Sequence, residues 1–287
     1  MIFNHLGETN DELIYLTLVS KGLYEDCKRP GIEWKLIPTI EISAVHGSTQ
    51  KLIQNVSHNQ KNKKLDRYSH MRINDVHKFD YISLNEIDKI TKDVRLEGII
   101  SLDLSIPYQS TARYIGKYLL YALLKILPKL LDLDLSNNSS LTFTTLYKYS
   151  KDFRFLEKIT CQNITKDFNI SLSGIDMRLS DHLKEIYMDS SVFLCNNDRQ
   201  KKDFSDLNNP TLNKYFIFHY CCKSLERVSI RNAKLYKYDS SPKIIPQNAL
   251  IKFVRNAPPS LRWFRSDLTH ANMDMLQLER PDIELLN

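Results

Sequence analysis

Five cysteines, eight histidines and thirty-four carboxylates are the residues of this 287-residue chain that could hold a metal or work on a substrate. Their spacing argues against both. Cys221 and Cys222 are the only cysteines close together, which makes neither a paired metal-ligand spacing nor a disulfide framework. Ahead of Leu225 the pair reads as small buried apolar groups on a helix. His46, His58, His70 and His77 gather in one stretch, yet no histidine stands at metal spacing with a third ligand nearby. Asp132 and Asp134 suggest paired carboxylates for acid–base work. They flank Leu133, however, and on a strand that places both on one exposed face. Seven glycines leave no Gly-rich phosphate loop. The expectation is a protein that is not an enzyme and needs no cofactor or metal.

Composition narrows the partners. An apolar share of 42% and a charged share of 26% fit a folded globular chain. The net charge of +6 is mild for this length, and a dedicated nucleic-acid binder concentrates more charge on one face, so nucleic acid is not an expected partner. No apolar run approaches the ~18 residues of a membrane span. The densest, from Tyr118 to Leu127, is broken by Lys125 and closed by Pro128, and reads as a core helix. With no basic-then-apolar leader, the expected location is cytoplasmic or nuclear. The N-x-S/T triplets, those at Asn55, Asn138, Asn163 and Asn169 among them, are then chance matches in an Asn-rich chain.

The strongest signal is an internal repeat. Leu130, Leu133, Leu135 and Asn138 fill the fixed slots of L-x-x-L-x-L-x-x-N. The three apolar slots recur as Ile99, Leu102 and Leu104, as Leu156, Ile159 and Cys161, as Leu183, Ile186 and Met188, and as Leu225, Val228 and Ile230. A weaker copy has Leu261 and Phe264 with Ser266 in the third slot, and a partial one has Ile283 and Leu286. Pro128, Pro259 and Pro281 each stand two residues before a first slot, where proline ends a helix and favours an extended approach. The pattern matches the leucine-rich repeat, which implies an α/β solenoid with short parallel strands on a concave face and helices on the convex one. Helices are expected from Tyr118 to Leu127 and from Leu250 to Arg255. Asn196 to Thr211 is expected to loop out of the stack.

Residues 1–43 differ. Asp11 to Tyr24 reads as a helix apolar on more than one face, with Leu16, Val19 and Leu23 on one and Ile14 and Leu18 on another. The run Leu16-Thr-Leu-Val-Ser-Lys-Gly-Leu-Tyr24, followed by Trp34-Lys-Leu36, resembles the F-box, the adaptor-binding motif of Skp–cullin–F-box ubiquitin ligases. Ile2-Phe-Asn-His-Leu6 looks like the end of that family's first helix. The family's opening Leu-Pro is not present, so the motif is N-terminally incomplete. The resemblance implies that Ile2, Leu6, Leu16, Val19, Leu23 and Trp34 contact a Skp-type adaptor. An F-box joined to leucine-rich repeats resembles a class of substrate receptors in which the repeats choose the target.

Three regions follow: an F-box-like helical segment (1–43), a polar basic linker with a connecting helix (44–90), and a repeat solenoid (91–287). Residues 47–76 show neither helical nor strand periodicity and are expected to be dispensable for folding. The expected function is protein binding, as the substrate-recognition subunit of such a ligase; the alternative is a repeat scaffold with no ubiquitin role. The residues flanking each L-x-L pair point onto the concave face. They run acidic early (Asp103, Asp132, Asp134) and basic or aromatic late, so the target is expected to anchor on Tyr187, Arg227, Arg231, Trp263 and Arg265.

Overall fold

A three-residue strand with an apolar centre between two polar residues buries one side chain and exposes two. Such a strand is stable only when hydrogen-bonded to neighbours and covered on its apolar face. The computed structural model describes residues 39–43, 49–61, 65, 68–74, 82–106, 117–138, 155–164, 182–194, 224–236 and 241–287. In these, nine short strands form one parallel sheet in which spatial order follows chain order. They are β1 (Thr39–Ser43), β2 (His70–Asn74), β3 (Ser101–Asp103), β4 (Asp132–Asp134), β5 (Lys158–Thr160), β6 (Glu185–Tyr187), β8 (Arg227–Ser229), β11 (Trp263–Arg265) and β12 (Glu284–Leu286). Three others, β7 (Val192–Leu194), β9 (Lys234–Tyr236) and β10 (Lys243–Ile244), make a small second sheet after the turns of two coils.

The register is uniform. Ile40, Met71, Leu102, Leu133, Ile159, Ile186, Val228, Phe264 and Leu285 stand side by side. From Met71 to Leu285 every member of this row is buried. The ladder begins one residue ahead of the strands: the amides of Leu131, Glu157, Lys184 and Glu226 each donate to the corresponding carbonyl one coil back, at 2.7 Å. First-slot residues Ile99, Leu130, Leu156, Leu183, Leu225 and Leu261 are buried beneath the strands, as are Ile283 just ahead of β12 and all six third-slot residues, Ser266 included.

Helices cover the apolar side. They are α1 (Thr49–Lys61), α2 (Leu84–Thr91), α3 (Lys117–Ile126), α4 (Gln247–Arg255) and α5 (His270–Glu279). Helix α2 starts at a capping box, in which the Glu86 amide donates to Ser83 Oγ and the Ser83 amide to Glu86 Oε2. Helix α3 sends Leu119, Leu120, Leu123 and Leu124 into the core and ends before Pro128. Phe253 of α4 lies 4.8 Å, ring to ring, from Phe264 of β11. Strand and helix residues thus share one continuous core.

Two expectations need correction. The stretch 47–76 is no structureless linker: it contains α1 and β2, with Leu52, Ile53, Val56, Leu65, Met71 and Ile73 buried. Leu52, Ile53 and Val56 carry a narrow helical face inside a polar sequence. The coil of β2 places Tyr68 in the first slot, where an aromatic hides the motif. The sheet therefore reaches back to Thr39, well before residue 91. Strand centres Ile40, Met71, Leu102 and Leu133 follow one another at a constant interval of 31 residues (71 − 40, 102 − 71, 133 − 102). The last copy is shifted by one: Leu285, not Leu286, pairs with Phe264. The F-box-like residues, the helix from Asp11 to Tyr24, the loop from Asn196 to Thr211 and the Cys221–Cys222 pair all lie outside the described residues.

Candidate protein-binding face

The turns that follow the strands fix how the outward residues are presented. Asn137, Asn163, Ser190 and Asn232 hold left-handed backbone, with φ of 62°, 54°, 56° and 57°. Each stands seven residues after its coil's first slot, so the repeat contains an eighth-position bend that suits asparagine. Asn163 Nδ2 donates to Asn137 Oδ1 at 3.0 Å, and Asn137 Nδ2 to the Ile106 carbonyl at 2.7 Å. The ninth position works by another contact. Asn138 Nδ2 donates to the Leu104 carbonyl, and Ser191 Oγ to the Cys161 carbonyl, each reaching the third-slot residue of the coil before. An asparagine ladder confined to the ninth position is what the motif leads one to expect. Here the eighth position carries most of the asparagines, and serine substitutes for Asn138 at the ninth.

On the face turned away from the helices, two outward rows cross the sheet. One runs Thr39, His70, Ser101, Asp132, Lys158, Glu185, Arg227, Trp263 and Glu284; the other runs Glu41, Arg72, Asp103, Asp134, Thr160, Tyr187, Ser229, Arg265 and Leu286. Neighbouring charges pair across strands. Lys158 Nζ lies 3.3 Å from Asp132 Oδ2, and Arg72 Nε lies 2.7 Å from Asp103 Oδ2 and also meets Glu41. The gradient from acidic to basic inferred from sequence is thus interrupted by these pairs. Asp134 remains beside two like charges. Burial raises its carboxyl above the ordinary range against the hydrogen bonds it accepts from Ser136, and the charges of Asp103 and Asp132 add to the rise. Burial likewise raises Asp132, against the pull of Lys158 and His70, and burial lowers His70.

The five late residues divide into two groups. Tyr187, Arg227 and Trp263 come together: the two rings lie 6.2 Å apart, and the Arg227 guanidinium sits 5.0 Å over the indole. Lys158 Nζ approaches the Tyr187 ring from the other side at 5.9 Å. The Tyr187 hydroxyl donates to Glu185 Oε2 at 2.9 Å. Burial together with that carboxylate pushes its pKa up to about 12, so it stays protonated at neutral pH. Arg265 is instead held by the sheet, donating to Ser229 Oγ at 3.0 Å and pairing with Asp189. Asp189, two residues past the end of β6, is a residue to which the sequence reading gave no role. It is buried, and it also accepts from Ser229 Oγ and from the Arg231 amide. Polar burial at a turn recurring after each strand was the available signal. The Arg231 side chain is exposed at the rim.

Among the described residues no group of three His, Cys, Asp or Glu side chains could hold a metal, and no helix is long and apolar enough to cross a membrane. The Cys161 thiol is wholly buried, which drives its pKa well above the ordinary value. What the outward rows offer chemically is recognition: aromatic faces, guanidinium edges and carboxylates fixed by short strands. No protein-family model matches the chain, and no curated protein sequence matches it either.

Proposed function

We propose that this chain is a leucine-rich-repeat protein that binds a protein target on the outward face of its parallel sheet. We propose further that it serves as the substrate-recognition subunit of a Skp–cullin–F-box ubiquitin ligase. The observation that carries the binding role is the cluster of Tyr187, Arg227 and Trp263 on three successive strands of the sheet. Tyrosine, tryptophan and arginine dominate binding hot spots, because they bury large area while keeping polar edges. The repeat reading draws support from parallel strands stacked in chain order, six of them behind the buried first-slot residues Ile99, Leu130, Leu156, Leu183, Leu225 and Leu261. The ligase role rests on the F-box resemblance of residues 1–42, with Ile2, Leu6, Leu16, Val19, Leu23 and Trp34 as the adaptor contacts.

Co-expression with a Skp-type adaptor tests the ligase role. The full chain is expected to co-purify with the adaptor, and Val19→Asp or Leu23→Asp to abolish recovery by placing a charge in an apolar contact. An adaptor that never co-purifies removes the ubiquitin role and leaves a repeat scaffold. Loss of captured partners on altering the sheet face tests the binding role separately.

A further inference from the structure

The outward cations of the sheet are not equivalent. Arg72 is paired with Asp103 and Glu41, Lys158 with Asp132, and Arg265 with Asp189. Arg227 and Arg231 form no ion pair among the described residues. The carboxylates beside them are already engaged. Glu185 accepts from Tyr187, Asp189 from Ser229, Arg265 and the Arg231 amide, and Asp267 from the Asn232 amide.

Both arginines belong to the same coil, on β8 and in the turn after it, four positions apart. Along extended backbone that separation is about 13 Å. At that backbone spacing each side chain can take a carboxylate of its own. Arg227 lies over the Trp263 ring and within hydrogen-bond reach of the Tyr187 hydroxyl, and a guanidinium has five N–H donors, enough to add a fork to a carboxylate. The Tyr187 and Trp263 rings, tilted by 55°, stand on the strands to either side of β8 and offer an apolar platform beside it.

We propose that β8 and its two neighbours dock an extended acidic segment of the partner protein, with carboxylates four residues apart and an apolar side chain midway. This rests on the binding role proposed above and specifies its partner. In an extended segment, residues i, i+2 and i+4 share one face. The outer two meet Arg227 and Arg231, and the middle one lies against the aromatic pair.

A fluorescein-labelled nonapeptide with Asp at its third and seventh positions and Leu at its fifth tests this by anisotropy, using the full chain. The acidic peptide is expected to bind more weakly as salt rises, and about tenfold more weakly to Arg227→Gln or Arg231→Gln, the loss that follows removal of one charged hydrogen-bonded contact. A peptide with its two Asp residues adjacent should bind less well, and one with Lys in their place should not bind. Three results would overturn the proposal: no binding of the acidic peptide to the unaltered chain, undiminished binding to the double variant, or tighter binding of an oligothymidylate. If Trp263→Ala loses its cellular protein partners while the unaltered chain ignores the acidic nonapeptide, only the acidic-segment inference fails.

Discussion

Ser266 sits in a slot that leucine, cysteine, methionine and isoleucine fill elsewhere, and it is fully buried with no hydrogen-bond partner for its hydroxyl among the described residues. A buried hydroxyl without a partner costs stability. Ser266→Ala should therefore leave the protein equally stable or more stable by up to about 1 kcal/mol, as denaturant unfolding would report. Phe264→Ala, two residues earlier, should cost about 3–5 kcal/mol. Asn163 makes an opposite case. Its left-handed backbone tolerates glycine, whereas Asn163→Val should cost about 1–2 kcal/mol through Cβ crowding, with the lost contact to Asn137 in addition. Asp134 carries a pH signature. Its folded pKa lies above the ordinary 3.8, so its contribution to stability is fully present below that value and is lost as pH rises through the folded pKa. Asp134→Asn should raise the melting temperature at neutral pH, and the gain should vanish below the ordinary carboxylate range. A gain that persists in acid would mean that ionisation of the buried Asp134 carboxyl is not its cause.

At the scale of elements, the coils from Ile99 to Phe264 were legible because leucine, isoleucine, valine and methionine recur with period two in each strand and Pro128 and Pro259 mark the approaches. Helices α3 and α4 were legible by another signal, apolar residues at helical spacing ahead of Pro128 and Pro259. Helix α1 and strand β2 were not. In α1 the buried Leu52, Ile53 and Val56 are interrupted by Gln54 and Asn55 and flanked by Lys51 and Ser57, and average polarity conceals so narrow a stripe. In β2, Met71 and Ile73 alternate with His70, Arg72 and Asn74, but Tyr68 replaces the aliphatic first slot. The eighth-position bend escaped notice because asparagine was sought one residue later. Of the face, the residue types were readable and the pairing was not: that Arg265 is taken up by Asp189 while Arg227 rests on Trp263 depends on register between coils. The corrected reading has a consequence. Ile53→Ala should destabilise by about 2–5 kcal/mol, while the exposed Gln54→Ala changes little. Equal melting temperatures for the two variants would restore the linker.

At the scale of the molecule, each strand bonds only to its sheet neighbours, so stability accumulates from neighbour to neighbour and the outward face is free to vary. The frame is held by the apolar row from Met71 to Leu285, and the residues between are those to which the proposed binding is assigned. Changes at Trp263 and Arg231 should therefore affect binding and not folding. The decisive measurement is quantitative recovery of bound proteins by the unaltered chain and by a Trp263→Ala/Arg231→Ala variant, with thermal melts of both. The expected result is an unchanged melting temperature with partner affinity reduced by about 2 kcal/mol or more for each substitution. Equal recovery of the same partners by a folded double variant would contradict binding on this face.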